Sequence, residues 1–158
     1  AITFYKTIQN KFHYAITGNT AAEIVYKRVD SKKENMGLTT WENSPDGKIL
    51  KSDVIIAKNY LNEQEIKNLN NLVNLFLDIA ENNAERSITM YMEDWKNEVE
   101  NALKVFHYEV LEGKGKISHK QAVEKAENEY EKYKVIQDKN YVSDFDRLLS
   151  ETKQIENK

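Results

Sequence analysis

The chain has 158 residues, 40% of them hydrophobic and 31% charged, with a formal net charge of -3 and no cysteine. That is enough length and apolar content for one domain with a core of its own. The lack of cysteine excludes disulfides, thiolate catalysis, iron–sulfur clusters and structural Cys zinc sites. Charge is uneven: residues 1–60 carry nine Lys or Arg against six Asp or Glu, and residues 61–158 carry fourteen against twenty. No apolar run reaches the roughly 20 residues of a membrane span and no signal-like segment opens the chain, so a cytoplasmic protein with no membrane contact is expected. The chain starts without Met on a helix pattern and reads as a piece of a longer protein.

The first helix is predicted from about Phe4 to Thr17, with Tyr5, Ile8, Phe12 and Ile16 on an apolar face and Lys6, Asn10, His13 and Thr17 on a polar one. Gly18-Asn19 ends it, and Thr20 with Glu23 forms a capping box for a second helix over Ala21 to Val29. The turn is expected to point backbone N–H groups of the second helix outward beside the polar stripe, where a phosphate or carboxylate could sit. The plainer reading is that these side chains cap and solubilise, as such residues do in every helical protein.

Residues 31–51 read as one long loop, marked by Gly37 and the Ser44-Pro45-Asp46-Gly47 turn and carrying Met36, Leu38 and Trp41 to pin it to the core. Lys48-Ile49-Leu50 is extended, or a very short strand. Ser52 is expected to cap a helix through Leu61, buried by Val54, Ile55, Ala57 and Tyr60. Asn62 and Glu65 open the strongest helix, to about Arg86, whose stripe of Ile66, Leu69, Leu72, Val73, Phe76 and Leu77 places it at the centre of a bundle. Thr89 is expected to cap a helix to about Leu111, with Met92, Trp95, Val99, Leu103 and Phe106 as core rather than ligand groove. Ser118 caps a helix to about Gln137, burying Ala122, Val123, Ala126, Tyr130 and Tyr133. A last piece from Ser143 buries Phe145, Leu148, Leu149 and Ile155 and frays over Glu156-Asn157-Lys158. The fold class is therefore all-α: a single irregular helical bundle of about six helices with one long loop.

Motifs for defined chemistry are missing. The histidines at 13, 107 and 119 have no helical pairing with one another, the Gly113-Lys114-Gly115-Lys116 run lacks Walker spacing, and no Gly-x-Ser-x-Gly elbow occurs. No metal and no cofactor are expected. One metal-independent site can be assembled from the residue types: His13 as acid or base, Lys6, Lys11, Arg28 and Lys58 as charge stabilisers, and Gln9, Asn10, Thr17 and Asn59 as hydrogen-bonding groups. The same set would equally bind an anion without turnover.

Several blocks in order resemble the bacterial virulence RhuM family: QNKFHYAITGNTAAEIV from Gln9, Asn35-Met36-Gly37-Leu38-Thr39 with Trp41, Ala57-Lys58-Asn59-Tyr60-Leu61, Met90-Tyr91-Met92 with Asp94-Trp95, and Gly115-Lys116-Ile117-Ser118-His119. The similarity runs from Phe4 to about Tyr133 and implies a carboxy-terminal domain that follows a DNA-associated region. It implies no settled reaction. Two function classes stand: a binding or effector module for nucleic acid, another anion or a protein partner, and a nuclease or other phosphoryl-handling, toxin-like enzyme using His13. Dimerisation through the helix over 62–86 is a third.

Overall fold

The computed structural model describes residues 2–157. Ala1 lies outside them, as does Lys158, the last residue of the expected frayed end. Among the described residues there are six α-helices: α1 (Ile2–Thr17), α2 (Ala21–Arg28), α3 (Glu63–Glu85), α4 (Met92–Val105), α5 (His119–Asn140) and α6 (Asp144–Glu156). No strand occurs among the described residues, so the all-α irregular bundle holds and Lys48-Ile49-Leu50 is extended loop.

The centre is α2, not the long α3. Ile24 is fully buried and Val25 nearly so, with α1 and α5 packed against them. Only Leu69 and Leu72 of α3 are buried, while Val73 and Leu77 face outward. α3 leans on α1 through a T-shaped contact of Phe12 with Phe76, and Phe76 meets Trp95 of α4 at 5.4 Å. The broad apolar arc of α3 is thus used on one side only.

The long loop is pinned as its composition predicts. Met36 and Ile49 are buried almost completely, Leu38 and Trp41 nearly so, and the Trp41 indole N–H donates to the Gly47 carbonyl at 2.8 Å. A short 3-10 turn at Glu34–Gly37 brings Asn35 and Met36 to positive φ. Gly37, at φ +84°, could not carry a Cβ without striking the Arg28 carbonyl.

Before α5, three helix boundaries depart from the expected ones, each for a local reason. Ser52 starts no helix. The buried Asp53 carboxylate accepts the Leu50 and Glu42 N–H groups at 2.7 and 3.1 Å, the Asn59 amide donates to the Asp53 carbonyl, and the Tyr60 hydroxyl donates to the Val54 carbonyl. Side chains thus hold the segment in turns, and only a 3-10 turn at Ala57–Tyr60 forms. Second, α4 opens after Tyr91, whose N–H Asp94 accepts at 3.0 Å, rather than at Thr89. Third, it stops at Val105 because His107 adopts φ +63°, with the Tyr108 N–H returning to the Leu103 carbonyl and the His107 N–H to Lys104. Ser87 closes α3 in the same way. Met92 and Phe106, expected in the core, are consequently more than half exposed.

The largest departure is α6. Ser143 caps it as expected, yet it buries no residue, and Phe145, Leu148, Leu149 and Ile155 are 67%, 60%, 43% and 74% exposed. α5 also runs on to Asn140, past the expected Gln137. Its far end is tied to the loop by Gln137, which accepts the Ile49 N–H at 2.7 Å and donates to the Ile49 carbonyl at 3.0 Å.

Because Met36 anchors the loop from a fully buried position, Met36→Ala is expected to lower unfolding free energy by about 2–5 kcal/mol in urea titrations. A loss under about 0.5 kcal/mol would mean that the loop does not belong to the core.

Candidate functional site

The α1–α2 corner is built by short polar side chains. The Thr17 hydroxyl donates to the His13 carbonyl at 2.7 Å and accepts the Asn19 N–H at 3.1 Å, and Gly18 at φ +73° ends α1. Three N–H groups at the start of α2 are already taken by side chains of the same corner. Asn10 Oδ1 accepts the Ala21 N–H at 3.0 Å, Thr20 Oγ1 accepts that of Glu23 at 3.3 Å, and the Glu23 carboxylate accepts that of Thr20 at 2.9 Å. Burial pushes the Glu23 carboxyl up, but hydrogen bonds from Thr20 and from the Lys116 N–H, with the Lys27 charge, bring it below the usual range. The negative end of this corner is therefore supplied from within.

The Gly115-Lys116 loop closes over that cap. Gly115 has φ +80°, and a Cβ there would stand 2.6 Å from Thr20 Cγ2. Gly115 of the Gly113–Lys116 run, which invites comparison with a phosphate loop, thus fits a loop to a helix cap, whereas Gly113 stands in open space.

Two of the four cations of the assembled site, Lys11 and Arg28, have carboxylate partners. Lys11 is buried, with Nζ 2.8 Å from Glu100 of α4 and donating to the Leu111 carbonyl at 3.2 Å. Its hydrogen bond holds the Glu100 carboxyl below its ordinary value. Arg28 makes a two-pronged contact with Glu65 at 2.7 and 2.8 Å and donates to the Tyr60 carbonyl at 2.9 Å. The bond from Arg28 keeps the Glu65 carboxyl low, and the bond to Glu65 raises the guanidinium.

His13 is turned inward, against the expectation of a polar outer stripe; it is only 9% exposed and its Nδ1 has no hydrogen-bond partner. Burial lowers its pKa below the ordinary imidazole value, so the neutral ring is the form the fold keeps. Asn59 donates to Asp53 and lends its carbonyl to the Thr39 N–H and hydroxyl. Lys6, Gln9 and Lys58 are exposed. Five of the nine residues thus divide among separate junctions: Asn10 and Thr17 between α1 and α2, Lys11 between α1 and α4, Arg28 between α2 and α3, and Asn59 within the 3-10 turn at Ala57–Tyr60.

Residues missed in the sequence carry two further long-range polar contacts. Lys125 donates to the Tyr26 carbonyl at 2.5 Å and lies 4.4 Å from the Tyr26 ring centroid, and Glu129 accepts the Ser31 N–H at 3.2 Å. Their partners lie 98 or 99 residues away in the chain, so no local spacing could reveal them. Asp53 did have a local signal, an Asp closing the Leu50-Lys51-Ser52 turn.

Two small cavities accompany these contacts. One of about 10 Å³ lies among Phe12, Leu72, Phe76, Val99 and Leu103. The other, about 40 Å³, is lined by Ala21, Ala22, Val25, Ile55, His119 and Ala122. A water fits the second, whereas small-molecule pockets run to about 300–1,000 Å³. Among the described residues no group of three or more His, Asp or Glu could hold a metal ion, and no helix is long and apolar enough to cross a membrane.

Fold and contacts together define an all-α domain whose buried polar residues join helices to one another. The model of the Virulence protein RhuM family matches residues 1–142, nine-tenths of the chain. The chain belongs to that family. No curated protein and no solved structure matches it.

The unpaired His13 Nδ1 and the lowered pKa give a stability test. A histidine kept neutral in the fold contributes fully above its unfolded value near 6.5, and that contribution is lost as pH falls toward the lower folded value. His13→Leu is expected to flatten the decline in stability below pH ~6.5 and to hold or raise stability at pH 7 by about 1 kcal/mol. An unchanged pH profile in chemical denaturation would show that Nδ1 is satisfied in solution.

Proposed function

We propose that this chain is a helical binding or effector module without turnover, working beside a DNA-associated region of the kind the RhuM resemblance implies. One observation carries the reading: Lys11 and Arg28, the cations best suited to stabilise charge growing on a phosphoryl group, each hold a carboxylate within 2.8 Å. A substrate phosphate would have to displace Glu100 and Glu65 and leave partly buried carboxylates behind, at a cost of several kcal/mol. Binding can instead use groups that are already outside, Lys6, Gln9 and Lys58 among them.

The nuclease alternative has one observation in its favour, the buried His13 with its unpaired Nδ1, since orphaned polar groups concentrate at functional sites.

The two readings separate in one experiment. The chain is incubated with labelled single- and double-stranded DNA and RNA at low and moderate salt, wild type beside His13→Ala. The binding module predicts salt-sensitive retardation, unchanged nucleic-acid length, and weaker retardation in a Lys6→Ala/Lys58→Ala variant. Cleavage abolished by His13→Ala would overturn it in favour of the enzyme. Absence of both retardation and cleavage would exclude nucleic acid as the ligand.

A further inference from the structure

The run from Gly113 into the first turn of α5 carries charge that the fold does not use. Residues 113–123 hold three lysines and one histidine, and no Asp or Glu. Lys114, Lys116, His119 and Lys120 are all exposed, and among the described residues none of them makes an ion pair. Lys11 and Arg28, by contrast, are closed off by carboxylates.

The surroundings leave the patch positive. It meets α1 through the bond from Lys11 to the Leu111 carbonyl, and α2 through Gly115 and the Lys116 N–H at the Thr20–Glu23 cap. It meets the turns over 53–58 at the cavity of about 40 Å³ that Ile55 and His119 both line. Residues 1–22 contain no Asp or Glu at all. The one carboxylate side chain of α2, Glu23, and the one of the 53–58 turns, Asp53, are buried and taken up by N–H groups. The exposed acids nearest in the chain are Glu112 and Glu124, one at each end of the run. A chain of net charge -3 thus sets three mutually repelling lysines where no carboxylate offsets them.

We propose that Lys114, Lys116 and Lys120 contact the phosphate backbone of duplex nucleic acid, with Lys58 at the edge of the same surface. The inference rests on the nucleic-acid reading given above and names the face that would carry it. Lys58 is exposed and stands three residues after Ile55, so it belongs to the turn that borders the patch. The loop is held on both sides, by Lys11 and by the α2 cap, so its ammonium groups are presented without first ordering a free segment. Phosphates are alike along every strand, and the contact therefore carries no sequence preference.

Two features choose the partner among polyanions. Ile117 is the one large apolar side chain between Glu112 and Gln121, and it packs against the core, so nothing here inserts into a bilayer. No aromatic residue occurs in the run, so unpaired bases find no ring to stack on, which favours a duplex over a single strand.

The test is retardation of duplex DNA of mixed sequence by the 158-residue chain between about 50 and 200 mM salt. Lys114→Gln/Lys116→Gln/Lys120→Gln removes three phosphate contacts and is expected to flatten the slope of log Kobs against log salt by about 2–3, whatever the DNA sequence. The matching triple Arg variant keeps the charge and should keep the slope. All three lysines are exposed and unpaired, so circular dichroism and the urea midpoint should be unchanged in both variants. Equal slopes for the wild type and the Gln variant overturn the proposal. If Lys6→Ala/Lys58→Ala flattens the slope in that case, the nucleic-acid reading stands and only this face is wrong. A slope lost in the Arg variant overturns it as well, and tighter binding of single strands than of duplex overturns the choice of partner. A wild type that retards no DNA at the low-salt end removes the proposal and the nucleic-acid reading together; capture on anionic vesicles would then assign the lysines to a membrane.

Discussion

The structure depends on keeping an eight-residue helix, α2, at the middle of the bundle. A helix of two turns is unstable alone, because nucleation costs more than so few hydrogen bonds return. Its surroundings must supply the difference at both ends. At the start, Thr20, Glu23 and Asn10 satisfy N–H groups that would otherwise be orphaned in a nearly water-free corner. At the end, Arg28 reaches Glu65 and the Tyr60 carbonyl, joining α2 to the beginning of α3 and to the 3-10 turn before it. Between them, Ile24 and Val25 fill the space against α1 and α5, and Lys125 takes the Tyr26 carbonyl from the α5 side. The long loop then wraps this centre, with Met36 and Ile49 as its buried pins.

Polar residues that look like chemistry in one dimension are joints in three. Asn10, Lys11, Thr17 and Arg28 are the residue types of an anion site, and equally the types that bond helix ends and cross-links. The ambiguity is physical: a backbone N–H row or a carboxylate of the same chain satisfies them as well as a phosphate would. His13 differs, because its Nδ1 is buried and nothing takes it up. Membership of the RhuM family fixes what the chain is related to, and leaves its ligand to be read from surfaces that the core does not use.

The helices with capping boxes were legible in the sequence. Thr20–Glu23, Asn62–Glu65 and Ser118–Gln121 each combine two reciprocal local bonds with an apolar period, so start and type follow from a few residues. Boundaries set by left-handed residues were not, since Ser87 and His107 stand where glycine is usual. The turns around Asp53 were misread as helix because their bonds come from side chains up to eleven residues away. Amphipathic stripes on α3 and α6 indicated which faces are apolar, but periodicity holds no information about what covers a face. α3 proved half covered and α6 open.

The central claim is that the paired charges around α2 hold the fold together. A double-mutant cycle on Arg28→Met and Glu65→Gln, read by urea unfolding at pH 7, measures it most directly. The account predicts a favourable coupling of about 1–3 kcal/mol, as fits a partly buried, two-pronged ion pair. Coupling indistinguishable from zero, with both single variants as stable as the wild type, would contradict it and leave Arg28 free for a ligand.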